Sequence, residues 1–87
     1  MKPATPPSDG SRVYIIAKWW TAPSRYATVV SSEILFPPTH TNEADIILLL
    51  RPDQEQYPPT GRPYRLNLAW TRPLTVVEAV GDLARAT

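Results

Sequence analysis

The stretch TVVEAVGDLARAT, residues 75–87, decides the fold class, because the hydrophobic period changes there. Val76, Val80 and Leu83 recur at i, i+4 and i+7, with Val77 and Ala84 widening the stripe. That spacing puts them along one side of a helix. Glu78, Asp82 and Arg85 fall outside the stripe. Thr75 and Glu78 form a T-x-x-E capping box, in which each side chain satisfies a free N–H of the first turn. Gly81, in mid-helix, costs about 1 kcal/mol relative to alanine and marks a place where a neighbour approaches closely. A helix this short does not persist alone in water, so its apolar stripe is expected to dock on a sheet.

Upstream lie four strand-like runs separated by proline-rich punctuation. They are RVYIIAKWWT (12–21), RYATVVSSEILF (25–36), ADIILLLR (44–51) and YRLNLAWT (64–71). Ser31 and Ser32 suggest a bulge or break in the second. The third is apolar at every central position, so both its faces call for cover. The fourth alternates, with Tyr64, Leu66, Leu68 and Trp70 on one side. The connections APS, PPTHTNE and PDQEQYPPTGRP are too short for helical crossovers, which favours antiparallel pairing of sequential strands. The expected architecture is α+β, a four-stranded antiparallel meander with the C-terminal helix packed on one face. The alternative is a small barrel or sandwich with the helix as a plug. Residues 1–11, rich in Pro, Ser, Gly and Thr, read as a flexible tail, and 12–87 as one small domain. PATPP within the tail has the composition of a short polyproline II segment. No internal repeat is visible.

Composition removes several function classes. There is no cysteine, hence no disulfide, no thiolate catalysis and no sulfur-ligated metal. A chain of 87 residues has a small core, stabilised by its own packing or by packing shared with a partner. The net charge of +1 does not by itself imply nucleic acid or membrane. No apolar run approaches the ~18 residues of a membrane span, and the N-terminus lacks the apolar core of a secretory signal. A cytoplasmic location is therefore expected. Glu43, Asp45, Asp53 and Glu55 against Arg51 make residues 43–55 a separate acidic surface, suited to meeting a basic protein or mimicking phosphate charge. Arginine outnumbers lysine seven to two amid abundant Pro and Ala, a composition typical of a GC-rich bacterial or phage genome.

Catalytic constellations are weak. His40, Glu43 and Asp45 collect imidazole and carboxylate donors, but at a spacing that matches no metal motif. Ser31 and Ser32 have only His40 as an imidazole base and no oriented third group. The glycines are scattered at Gly10, Gly61 and Gly81, so there is no phosphate-cradling loop. No enzyme activity, metal or cofactor is expected.

The strongest functional signal is the adjacent pair Trp19 and Trp20. On an extended strand, neighbouring side chains point to opposite faces. The odd positions Val13, Ile15, Ala17 and Trp19 are the drier set, which places Trp19 inward and Trp20 outward beside Arg12, Tyr14 and Lys18. An aromatic face left uncovered by one helix is suited to protein interfaces or base stacking. The expected function is a small non-enzymatic protein-interaction module, an inhibitor or accessory factor of the kind encoded by phages and mobile elements. Its partner would be another protein or a second copy. Trp20 and Tyr14 are the expected anchors, Lys18, Arg12 and Arg65 the polar rim, and Tyr57 a helper from the proline-rich loop. That loop could instead lie over the face as an intramolecular lid. The alternative function is single-stranded nucleic-acid binding on the same face, with arginines tracking phosphates.

Overall fold

A hydrogen-bonded sheet with one helix on its outside is what the sequence forms in the computed structural model, which describes residues 6–36 and 45–86. The strands are β1 (Arg12–Ile15), β2 (Tyr26–Phe36), β3 (Asp45–Pro52), β4 (Tyr64–Asn67) and β5 (Thr71–Pro73). A 3-10 turn, Leu68–Trp70, separates β4 from β5, and helix α1 spans Val76–Ala86. All pairings are antiparallel, in the order β4-β3-β2-β1-β5. The α+β class with a C-terminal helix is as expected, but the sheet has five strands rather than four.

The extra strand comes from a break within residues 64–71. Asn67 caps the 3-10 turn, its side-chain oxygen accepting the Ala69 N–H at 2.9 Å. The chain then re-enters the sheet at the opposite edge, where Ile15 pairs with Thr71 and Val13 with Pro73. In a flat sheet those edges lie about 19 Å apart, at ~4.8 Å per strand. A turn of three residues, rising about 2 Å per residue, cannot span that distance. The sheet therefore curls until β4 and β5 approach, helped by bulges in β2 at Val29/Ser31 and Ile34/Phe36. The first bulge falls beside the Ser31–Ser32 pair. β4 and β5 remain the unpaired edges of an open sheet and α1 lies outside it, so a barrel or sandwich plugged by the helix is not what forms.

The core fills the inside of the curl. Val13 and Ile15 of β1, Ala27 and Val29 of β2, Ile46, Leu48 and Leu50 of β3, and Leu66 of β4 are all buried. Their cross-strand pairs (Val13 with Ala27, Val29 with Leu50, Leu48 with Leu66) share one face. Trp20, 2% exposed, closes this core with its ring 5.3 Å from that of Tyr64. On the other face Ile47 and Leu49 are half-buried. Glu33 and Arg65, from the strands flanking β3, meet over them at 3.5 Å. The second apolar face of β3 is thus partly shielded within the chain by the stems of long charged side chains.

β1 ends six residues earlier than expected. Arg25 donates to the carbonyls of Ile15, Ala17 and Trp20, at 3.0, 2.9 and 3.2 Å, drawing residues 15–20 into a turn. Ile16 is the last residue tied to the edge, its N–H bonding the Trp70 carbonyl. Strand parity does not apply beyond that point, and the orientation of the two tryptophans is reversed. At the other end, Gly10 and Ser11 already bond to Val29, so sheet hydrogen bonding begins two residues before β1. Among the described residues no helix is long and apolar enough to cross a membrane.

Candidate functional site: the two sides of the C-terminal helix

Helix α1 starts where its capping box predicts. Thr75 Oγ1 accepts the Glu78 N–H at 3.2 Å, and the Glu78 carboxylate accepts the Thr75 N–H at 2.8 Å. Its orientation is the reverse of the expected one. The outer sheet face offers Arg12 and Tyr14 of β1, Tyr26 and Thr28 of β2, and Arg72 of β5. That surface is charged and aromatic, and the polar side of the helix matches it.

Three side chains on one helical face make the attachment. Glu78 takes Arg72 in a two-pronged pair at 2.6 and 2.7 Å. Asp82 takes Arg12 through Nη2 at 2.7 Å and Nε at 2.9 Å. Arg85 lays its guanidinium over the Tyr26 ring, 4.5 Å from the centroid. Arg12 also holds Asp53 at 2.6 and 2.7 Å and Thr28 Oγ1 at 2.8 Å, so every edge of its guanidinium is used. Arg72 covers the Tyr14 ring at 4.2 Å, and Tyr14 meets Tyr26 edge-on at 5.6 Å. Arg72 and the Thr75 cap hold the Glu78 carboxyl down at about 2. Arg12 lowers the Asp82 carboxyl, and the bonds to Asp53 and Asp82 raise Arg12.

With its charged side turned inward, α1 shows its apolar stripe to solvent. Val76 is 81% exposed, Val77 82%, Val80 64% and Leu83 69%. No charged residue interrupts them. The expectation that Val76, Val80 and Leu83 would dock on the sheet is overturned, because the surface beneath is arginine and tyrosine rather than apolar. A cleft lined by apolar residues (Leu74, Ala79, Leu83) and charged ones (Arg12, Asp82, Arg85) adjoins the helix.

The six expected contact residues are scattered by the fold. Arg12 and Tyr14 lie beneath α1 with internal partners. Trp20 is buried, donating its indole N–H to the Ser24 carbonyl at 2.9 Å, and so cannot anchor a partner. Its neighbour Trp19, 45% exposed, stands instead beside Trp70 at 6.2 Å between ring centres, with Ile16 exposed nearby. Lys18 is exposed in the same turn. Arg65 pairs with Glu33 over β3, on the same side of the sheet but toward the β4 edge. Tyr57 is 93% exposed, so it does not lie on the sheet, and the group over the Tyr14 ring is Arg72 of β5, itself held by Glu78 of α1.

Of the considered metal cluster, His40 and Glu43 lie outside the described residues, and Asp45 accepts a bond from Asn67 Nδ2. Among the described residues no group of three or more His, Asp or Glu side chains is placed to hold a metal ion. The charge match between Arg12 and Arg72 on one side and Glu78 and Asp82 on the other was present in the sequence as complementary faces, and it is what the stripe alone did not reveal. No protein-family model matches the chain, and no curated protein or solved structure matches it either.

Proposed function

We propose that this protein is a small non-enzymatic protein-binding module, and that α1 is the element it offers to its partner. The supporting observation is the exposure of Val76, Val77, Val80 and Leu83 on a helix whose charged side is spent on its own sheet. Val76, Val80 and Leu83 stand at i, i+4 and i+7, the anchor spacing of a helix laid into an apolar groove. At the usual burial worth of Val and Leu, the four side chains amount to a few hundred Å² of apolar surface. A standard interface needs about 800 Å² per partner, so two stripes packed crest to crest fall short. A concave groove also takes in the flanks of the helix, which favours a grooved partner over a second copy.

The test is a purified complex. A partner captured from a bacterial lysate is to be titrated by calorimetry with wild type and with Val80→Lys/Leu83→Lys, both sites being exposed enough to leave the fold intact. Loss of at least about tenfold in affinity, with competition by a peptide of residues 74–87, is the expected result. Equal binding by the variant overturns the reading. So does wild-type self-association in sedimentation that the variant lacks, which would make a second copy the occupant.

A further inference from the structure

We infer that the sheet face beneath α1 is a binding site for single-stranded nucleic acid, closed in this structure by the polar side of the helix. Cross-strand pairing puts Arg12 beside Thr28, Tyr14 beside both Tyr26 and Arg72, and Thr28 beside Arg51, so all six share one face. Arg51 is exposed and makes no ion pair among the described residues. Among the described residues the sheet side sets Asp53, bonded to Arg12, against these cations, and Glu55 lines a cleft with Arg51. Without the helix, three cations and two tyrosine rings stand there against two acids.

The helix supplies what a nucleic-acid strand would supply. Glu78 puts an anion on Arg72, Asp82 puts a second on Arg12, and Arg85 lays a planar group on Tyr26. Arg12 and Arg72 are diagonal neighbours on paired strands, about 7–8 Å apart at the backbone. Neighbouring phosphates of an extended strand have a comparable reach. Aromatic rings between spaced cations are the recognition elements of single-strand binders, in which bases stack and phosphates are tracked. A peptide fills this face only when two acids and a planar side chain recur at the spacing of Glu78, Asp82 and Arg85, whereas every nucleotide of a single strand carries both a phosphate and a stackable base, which is why nucleic acid is favoured.

Binding of a strand and attachment of the helix are therefore mutually exclusive. If the face is open in about 1–10% of molecules, wild-type affinity is reduced by that fraction. The test is fluorescence anisotropy of a fluorescein-labelled single strand of about ten nucleotides, the length one small site covers. The full chain is compared with Glu78→Gln/Asp82→Asn, which removes the two anions but keeps a residue able to complete the capping box. The variant is expected to bind at least about tenfold more tightly. Three phosphate contacts set a slope of roughly −2 in log affinity against log salt. Tyr26→Ala added to the variant should remove most of the gain. Equal affinity of variant and wild type, with α1 shown to be released by faster amide exchange at residues 76–86, overturns the inference. Competition by polyglutamate as strong as by oligonucleotide, with no effect of Tyr26→Ala, also overturns it and leaves only a general anion surface. Should the variant fold poorly, excess oligonucleotide added to wild type must speed amide exchange across α1, and unchanged exchange would refute the site.

Discussion

Arg72 of β5 and Glu78 of α1 face each other in a two-pronged ion pair, and the same carboxylate caps the helix through the Thr75 N–H. One side chain thus both starts the helix and ties it to the sheet. Arg72, then the cap, hold the Glu78 carboxyl at about 2 against the usual 4.5, and Arg12 lowers Asp82 in the same direction. A carboxylate depressed in the folded state stabilises fully above its unfolded value and loses that contribution as pH falls through the folded one. Attachment of α1 is therefore expected to be complete above about 4.5 and to be lost as pH approaches 2. Because so short a helix melts when undocked, far-UV circular dichroism should report the loss, with tryptophan fluorescence following the core. Helicity unchanged at pH 2 would mean that the helix is held by something other than these carboxylates.

The tryptophan pair gives a second prediction, on stability. Trp20 lies against Tyr64 within the buried cluster, whereas Trp19 touches Trp70 at the surface. Trp20→Ala opens a large cavity and is expected to cost about 3–5 kcal/mol in urea unfolding. That is a large share of the few kcal/mol available to a chain of this size. Trp19→Ala should cost well under half as much. A larger loss for Trp19→Ala than for Trp20→Ala would restore the strand-parity assignment that the structure reverses.

How much of this was legible in the sequence follows from what each signal measures. β2 and β3 fall within a residue or so of their expected bounds, because apolar content and flanking prolines mark them directly. β1 was overextended because parity assumes a straight chain, and Arg25, ten residues beyond Ile15, recruits the carbonyls that the strand would have used. Residues 64–71 alternate without a flaw, yet Asn67 caps a turn in the middle of them, since alternation says nothing about where a chain leaves its sheet. The existence of α1 was written in its capping box, but its orientation was not. A periodic stripe shows where apolar groups lie on a helix, and only the facing surface decides whether they turn toward it. Here that surface is Arg12, Tyr14, Tyr26 and Arg72. Of the expected contact residues, Lys18, in a turn rather than on the strand, and Tyr57 are exposed, while Trp20 is buried and Trp19 stands at the surface.

The exposed stripe separates two kinds of apolar position. Leu48 is fully buried, and Leu48→Ala should cost about 2–5 kcal/mol. Val77→Ala and Val80→Ala remove side chains that touch mainly water, and alanine is the better helix former. These two changes are expected to be neutral or to stabilise by a few tenths of a kcal/mol, read as midpoints in urea. A loss of more than about 1 kcal/mol from either would show that the stripe packs against the domain after all.

Gly81 tests whether the outward side of the helix is open space. Its sequence position first suggested a close approach by a neighbouring element. An alanine Cβ built there meets nothing within 4 Å, and the residue has no left-handed backbone to preserve. Gly81→Ala should therefore recover the helix propensity that glycine forfeits, about 1 kcal/mol, without any steric cost. Because α1 is tied down by ion pairs rather than by a shared core, the gain belongs first to the opening of the helix and only then to the whole domain. Amide exchange across residues 76–86 should slow about fivefold, while protection in β2 and β3 changes less. A destabilised helix in this variant would instead place a neighbour against Gly81, whether from a partner or from a second copy.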